Sequence, residues 1–569
     1  MPVSFPLLRL AIAALLLGTA AAPPAMAADM AGPYLAARSA SIANDYAAAM
    51  DYYDRLLLAA PDNPDVQEGA LVTHVAMGDY ERAARLADVV VSDTRAKAGQ
   101  IAVLVALADH AQRNDFAGAV ALLDKGADAG DLVGGLYRGW ARAGEGQMAE
   151  AGKAFDKVGK LRGLEGFAAY HKALSLAMVG DYEGADKILS GHLAKVMHGT
   201  RRGILAHVQV LSQLERDGDA IKLIDTTMGS ALDPEFTAIR AQLEKGEALP
   251  FTVVGSARDG VAEVFFAVAQ ALNAEDPSTV GLVHARLALW LRPQFGDAAL
   301  LAASILEAQG QHDLAIGVFA AVPADSPIHP ATELGRAEAM VAAGRTDAAI
   351  DVLQKLSRSV PDQISVWISL GDNLRRVERW SEAAQAYDKA VALIGTPEPR
   401  DWFVYFARGI AESRSDAWPQ AEKDFREALR LSPDQPSVLN YLGYSYVERK
   451  ENLDEALSMI ERAVAARPEE GYILDSLGWA LYRLGRYDEA VGHMEKAVEL
   501  DSTEPLLNDH LGDVYWAVGR KREAEFQWRR ALSLGPGEDL DMERVRRKLD
   551  VGLDQVLKDE GAEPLHATD

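Results

Sequence analysis

Residues 471–500 read GYILDSLGWALYRLGRYDEAVGHMEKAVEL, and the parsing of this stretch decides the fold. Leu474, Leu477 and Leu481 keep helical spacing with Gly478 among them, and after Gly485 a second apolar face begins with Ala490, Met494 and Ala497. The preceding stretch repeats the pattern with Leu439, Leu442, Gly443, Tyr446, Ala456, Ile460, Ala463 and Pro468. The following one repeats it with Leu511, Gly512, Tyr515, Gly519, Ala524, Trp528, Ala531 and Pro536. A recurrence of about 34 residues is the period of a two-helix unit. Such a unit cannot bury its own apolar face, so copies must stack.

Working outward, the next copy toward the N-terminus has Gly409, Ala421, Phe425, Ala428 and Pro433, with Trp418-Pro419 opening its second helix. Another supplies Trp367, Leu370, Gly371, Leu374, Ala383, Tyr387 and Ala390. Blurrier copies run back through Gly344, Gly310 and Arg292-Pro293 to Val261. Before them, Asn44-Asp45-Tyr46, Gly78-Asp79-Tyr80, Asn114-Asp115-Phe116, Gly146 with Ala151, and Gly180-Asp181-Tyr182 mark turns between helices; a sixth near Asp217-Gly218-Asp219-Ala220 is poorly spelled. Gly or Asn ends one helix in a left-handed conformation, and the Asp beside it accepts from the free N–H groups of the next. The residues that define the unit are Gly371, Ala383, Gly443, Ala456, Gly478, Ala490, Gly512 and Ala524. This spelling resembles the tetratricopeptide repeat. The resemblance implies an all-α solenoid, a right-handed superhelix of antiparallel helix pairs, in roughly fifteen units.

The rhythm fails over 232–260, where Gly246, Pro250 and the Phe251-Thr252-Val253-Val254 run interrupt it after a helix from Pro234 through Leu243. The expected organisation is a signal peptide (1–27), a degenerate N-terminal array (28–231), an irregular linker or kink (232–260), a middle array (261–397), a C-terminal array (398–539), and a capping helix with a disordered acidic tail (540–569). The capping helix is read from Met542, Val545, Leu549, Leu553 and Val556 on one face, with Arg544, Arg546, Arg547 and Lys548 around them.

Net charge is −26 and cysteine is absent. The charge argues against nucleic acid and anionic membrane surfaces as partners. The missing cysteine excludes disulfides, thiolate metal sites and a lipoprotein anchor. Arg9, the apolar core Leu10–Leu17 and Ala25-Met26-Ala27 have the order of a cleaved export signal, so a periplasmic location without a lipid anchor or transmembrane segment is expected. No cofactor, metal or enzymatic activity is expected. No His-Glu-x-x-His or Gly-x-Ser-x-Gly occurs, Gly152-Lys153 lacks the spacing of a phosphate loop, and His192 and His198 have no third ligand nearby in sequence.

Function must then lie on the surface. Positions of the first helices not used in packing face the groove, and in the last three copies these include Asn440, Tyr444, Tyr472, Asp475, Trp479, Tyr482, Arg483, Asp509, Asp513 and Trp516. Aromatics beside polar groups suit the gripping of a protein or peptide segment. Trp479 and Trp516 fit packing between first helices as well as they fit the groove. With Asp475 and Asp509 where a carboxylate clamp would need other residues, a free C-terminus is not the expected ligand.

The block Leu474-Asp475-Ser476-Leu477-Gly478-Trp479, with Tyr482-Arg483-Leu484-Gly485-Arg486, His510-Leu511-Gly512-Asp513, Gly260-Val261-Ala262-Glu263 and Arg292-Pro293, resembles a family of long bacterial envelope repeat proteins. The best-understood type is an outer-membrane lipoprotein that binds a periplasmic carboxyl-terminal processing protease and helps it degrade peptidoglycan hydrolases. The resemblance implies an adaptor between protease and cell-wall hydrolase; without the lipobox Cys the tether does not carry over. The alternative is a structural component of an envelope assembly or polysaccharide-export complex.

Overall fold

The computed structural model describes residues 24–93, 97–229, 234–274, 277–537, 540–562 and 565, with side chains from residue 30. Every regular element among these is helical, and the helices alternate direction in pairs. The first 23 residues of the expected signal peptide lie outside the described residues.

The repeat residues do their work inside each pair. A Cβ on Gly371 would stand 2.7 Å from Tyr387, one on Gly443 2.7 Å from Ile460, one on Gly478 2.7 Å from Met494, and one on Gly512 2.4 Å from Trp528. The missing side chain is thus the space that the second helix's bulky residue fills. Ala383, Ala456, Ala490 and Ala524 are fully buried where the helices cross. At the expected turns, Asp45, Asp79, Asp115 and Asp181 accept from the N–H of Ala48, Arg82, Gly118 and Gly184. In later copies the capping position is Arg379, Arg486 or Arg520, which instead pairs with a glutamate three residues on, in the first turn of the second helix. The poorly spelled turn falls at Glu215 (φ 57°), earlier than Asp217-Gly218 implied, and the second helix starts at Asp217.

The chain divides into two compact units, residues 1–352 and 353–569. The division therefore falls inside helix Thr346–Ser359, neither at 232–260 nor at 397/398. Helix Pro234–Glu244 is present, and the irregular run after it lies along the first unit, exposed over 245–248 but with Leu249, Val253 and Val254 buried in the core. Its backbone has no ladder partner, so side chains satisfy it. Gln209 donates to Thr252 Oγ1 (2.9 Å) and accepts from Thr252 N (2.8 Å), Ser212 accepts from Leu249 N, and Arg292 donates to the carbonyls of Val253 (2.7 Å) and Thr252 (3.1 Å).

Within the first unit the helices after this strip turn back onto the earlier ones. Ala257–Asn273 packs on Asp131–Gly144 and Glu165–Met178, and Thr279–Leu291 packs on Pro64–Met77 and Gln100–Gln112. Gly260 permits the contact, since a Cβ there would lie 2.2 Å from the Trp140 ring. Glu263, fully buried, accepts from Tyr170 (3.3 Å) and is paired with Arg202. Tyr80 stacks on Trp290 at 5.3 Å, and Tyr46 donates to Gln309 at 2.8 Å.

In the second unit, five helix pairs run from Ile364–Arg376 with Trp380–Ile394 to Pro505–Ala517 with Lys521–Leu534. The expected single capping helix is two, Met542–Val551 and Leu553–Asp559, broken at Gly552, whose φ of 81° no β-branched or bulky residue adopts readily. Residues 563–564 and 566–569 of the expected disordered tail lie outside the described residues; Leu565 packs against the core.

Candidate functional site

The first helices of the second unit frame an open cavity of about 480 Å³. Its walls come from four successive repeats: Arg414, Trp418, Tyr441, Tyr444, Glu448, Arg449, Trp479, Asp509 and His510, with Asp541 and Arg544 closing one end. Helical spacing places Tyr441, Tyr444 and Glu448 along one stripe of helix Pro436–Arg449. Arg449 lies over the Trp418 ring at 4.7 Å, a cation–π contact that keeps both side chains at the rim.

Trp479 is the centre of the wall. Its indole stacks on His510 at 4.0 Å and on Tyr482 at 4.8 Å, and its Nε1 donates to Glu448 at 2.5 Å. His510 Nδ1 lies 3.0–3.1 Å from both oxygens of Asp475. Burial pushes the imidazole toward neutrality, but Asp475, with Asp509 and Asp513, outweighs it and holds the pKa of His510 above its ordinary value.

Of the residues proposed from sequence, only Tyr444, Trp479 and Asp509 line the cavity. Asp475 and Asp513 are buried beside it, and Tyr482 is buried behind Trp479. Asn440 is buried with its Oδ1 lacking a hydrogen-bond partner. Tyr472 is 46% exposed and Arg483 half-buried, both away from the cavity. Trp516 lies under the C-terminal segment: its Nε1 donates to Asp554 at 3.0 Å, and the ring stands where a Cβ on Gly552 would be.

The acidic positions are held by that same segment. Lys548, fully buried, donates to both oxygens of Asp509 at 2.8 Å and lies 2.6 Å from Asp513. Asp513 also accepts from Trp528 at 2.9 Å, and Arg544 lies 3.6 Å from it. Burial raises the pKa of Asp509, Lys548 opposes the rise, and Asp513 adds to it. The cavity also takes in Trp418, Tyr441, Arg449 and His510, which repeat spacing does not single out, because which positions reach it depends on how neighbouring repeats stack. Arg544 and Lys548, one turn apart, were the legible signal on the other side.

A second cavity, about 730 Å³, lies in the first unit between Glu165–Met178, Ala194–Met197 and Ala257–Asn273, with Phe167, Met197 and Phe266 among its walls. Among the described residues, no group of three or more His, Asp or Glu side chains could hold a metal ion, and no helix is long and apolar enough to cross a membrane. His198 instead lies 2.8 Å from His207, which pairs with Asp186.

Models of the tetratricopeptide repeat match residues 306–371, 406–470 and 448–505. The TPR repeat-containing protein PA4667 of Pseudomonas aeruginosa is 30% identical over 184 residues, covering 32% of this chain and 30% of that relative. The chain thus matches less than a third of that relative's length. Among solved structures, the Cut9–Hcn1 hetero-tetramer of the APC/C superposes with a TM-score of 0.37 at 16% identity, over 92% of this chain and 96% of that one. A tetratricopeptide repeat protein from Parabacteroides merdae gives 0.37 at 17%, over 45% and 97%. YrrB, described as a TPR protein with an unusual peptide-binding site, gives 0.27 at 21%, over 35% and 98%.

Proposed function

We propose that this tetratricopeptide-type solenoid is a non-catalytic scaffold of the bacterial periplasm, and that the groove of its second unit grips a segment of a protein partner. The observation that carries this is the open, aromatic-walled cavity spanning four repeats, with Tyr441, Tyr444 and Trp479 presenting ring surface beside Glu448 and Arg449. Rings give large contact area at low entropic cost, and charged neighbours fix register. The resemblance of the Leu474–Arg486 block and its companions supports a finer reading, an adaptor that brings peptidoglycan hydrolases to a carboxyl-terminal processing protease. A repeat surface suits that task because two partners held at once gain effective concentration.

Trp479 and Tyr482 are poor probes, since removing either collapses a buried stack. Tyr441 and Tyr444 are half-buried and line the opening. The full chain and its Tyr441→Ala/Tyr444→Ala variant are used as bait in periplasmic extract, and hydrolase degradation by the captured protease is followed with and without the chain. Capture falls about tenfold in the variant with helicity unchanged, and degradation depends on the wild-type groove. Equal capture by both proteins refutes the groove assignment. Recovery of an export complex without the protease refutes the adaptor reading.

A further inference from the structure

The C-terminal segment does more than cover the last repeat. A cap needs only to shield the apolar flank of the final pair. Helix Met542–Val551 instead places a fully buried lysine against Asp509 and Asp513 on the first helix of that pair, the helix that walls the groove. Its N-terminal residues Asp541 and Arg544 line the cavity with side chains from as far back as Arg414. The segment's far end reaches the preceding pair, where Tyr487 donates to the Leu565 carbonyl at 2.9 Å.

The chemistry of the contact is selective. A buried ion pair gives little stability over an apolar pair of the same shape, and its best-attested use is to specify register or a switch. Here it specifies a cation. Asp509 and Asp513 face one cleft, so any occupant must bring positive charge to both. Lys548 meets that need directly. Arg544, four residues earlier on the same face, adds a longer 3.6 Å approach to Asp513 while hydrogen-bonding Glu560 of its own segment, and Val545 between them supplies the buried apolar contact.

We propose that the acidic end of the groove is a receptor for a basic amphipathic helix, that the chain's own Met542–Val551 helix is its resident occupant, and that a partner helix with Arg or Lys four residues apart beside an apolar position engages the site by displacing it. The proposal rests on the second unit's groove being the partner surface. A resident tethered by a short connection acts at an effective concentration of millimolar order, so a partner in trans binds weakly until the resident is released.

The test uses the full-length chain and a labelled synthetic peptide of residues 540–562, and needs no natural partner, so it fails independently of the capture experiment. The Arg544→Ala/Lys548→Ala variant changes the occupant and leaves the receptor carboxylates Asp509 and Asp513 in place. Peptide binding to it is expected at least tenfold tighter than to wild type, and to disappear when Asp509→Asn/Asp513→Asn is added or when the peptide carries the two alanines. Equal peptide affinity for wild type and variant, or binding indifferent to the aspartates, overturns the proposal. Should the variant lose helicity, hydrogen exchange on the wild-type chain decides. Amides of 542–559 that open independently of Pro505–Ala517, and exchange faster with excess peptide, support a replaceable occupant. Amides that open only together with that helix overturn it.

Discussion

The two units build on the same helix pair and use its inner face in opposite ways. In the first, helices Ala257–Asn273 and Thr279–Leu291 lie against the first helices of the preceding repeats, and the contact is sealed by Gly260 under Trp140 and by Glu263 beneath Arg202. In the second, among the described residues, only the C-terminal segment enters, at one end, and a cavity of about 480 Å³ remains open beside it. Groove availability is therefore not a property of the repeat. It depends on whether later chain returns to fill the inner face. The difference also explains the spelling. In the first unit, inner-face positions such as Tyr170 meet the plug, here at Glu263, and are not confined to the generic pattern. Second-unit helices face mostly their own neighbours and keep it.

Removing the plug's anchor is the sharpest way to break this contrast. Glu263→Ala leaves Arg202 buried with its nearest carboxylate gone and only Asp297 at 3.3 Å to pair with, a loss of about 3 kcal/mol, at the low end for a broken buried ion pair. Urea unfolding followed by regional hydrogen exchange is expected to show protection lost first across 131–291. If protection there is unchanged, the plug does not depend on this pair. A smaller effect tests the second unit's scaffold. Gly512→Ala drives a Cβ to 2.4 Å from the Trp528 indole, which also holds Asp513. Overpacking there costs about 1–3 kcal/mol, and the midpoint of the C-terminal region falls accordingly. A silent substitution would mean that Gly512 is not needed for close approach.

Much of this was legible. The Gly and Ala of each unit, the Asp caps and the helix from Pro234 follow from local physics, and the structure places them as the spacing implied. Two of the family-like motifs even meet, Arg292 lying 3.9 Å from Glu263. What was not legible is long-range. Phe251–Val254 reads as a break because it lacks helical rhythm, yet its backbone is held by side chains more than thirty residues away, with Val253 and Val254 in the core. Asp509 and Asp513 read as groove residues because Lys548 lies in a segment whose return path no periodicity encodes. Trp479 packs between first helices and its ring also walls the cavity.

The contrast has a final consequence in acid, of order 1 kcal/mol per pH unit and opposite in sign for the two units. In the first, His171 is fully buried and accepts from Trp140 Nε1 at 3.1 Å; burial holds its pKa down to about 3. A base depressed below its unfolded value near 6.5 stabilises above that value and loses the contribution as pH falls, by about 1.4 kcal/mol per unit. Glu263, raised by burial against the pull of Arg202, offsets part of this at lower pH. In the second unit, Glu412 on the inner helix Trp402–Arg414 is pushed up to about 7, by burial first and by Asp424 next, with Arg408 opposing. An acid raised above its unfolded value stabilises below that value and loses the contribution as pH rises, here between about 4.5 and 7; half-buried, it is screened to about 0.5 kcal/mol per unit. His510, raised past its ordinary value by Asp475 against burial, acts in the same direction, because its contribution is lost as pH rises through the folded pKa. Lowering pH from 7 to 5 is expected to weaken protection around Trp140 while strengthening it around Glu412 and His510. His171→Asn flattens the first slope and Glu412→Gln reduces the second. Parallel slopes in both units, unaffected by these substitutions, would show that burial of His171 and Glu412 does not set the acid response.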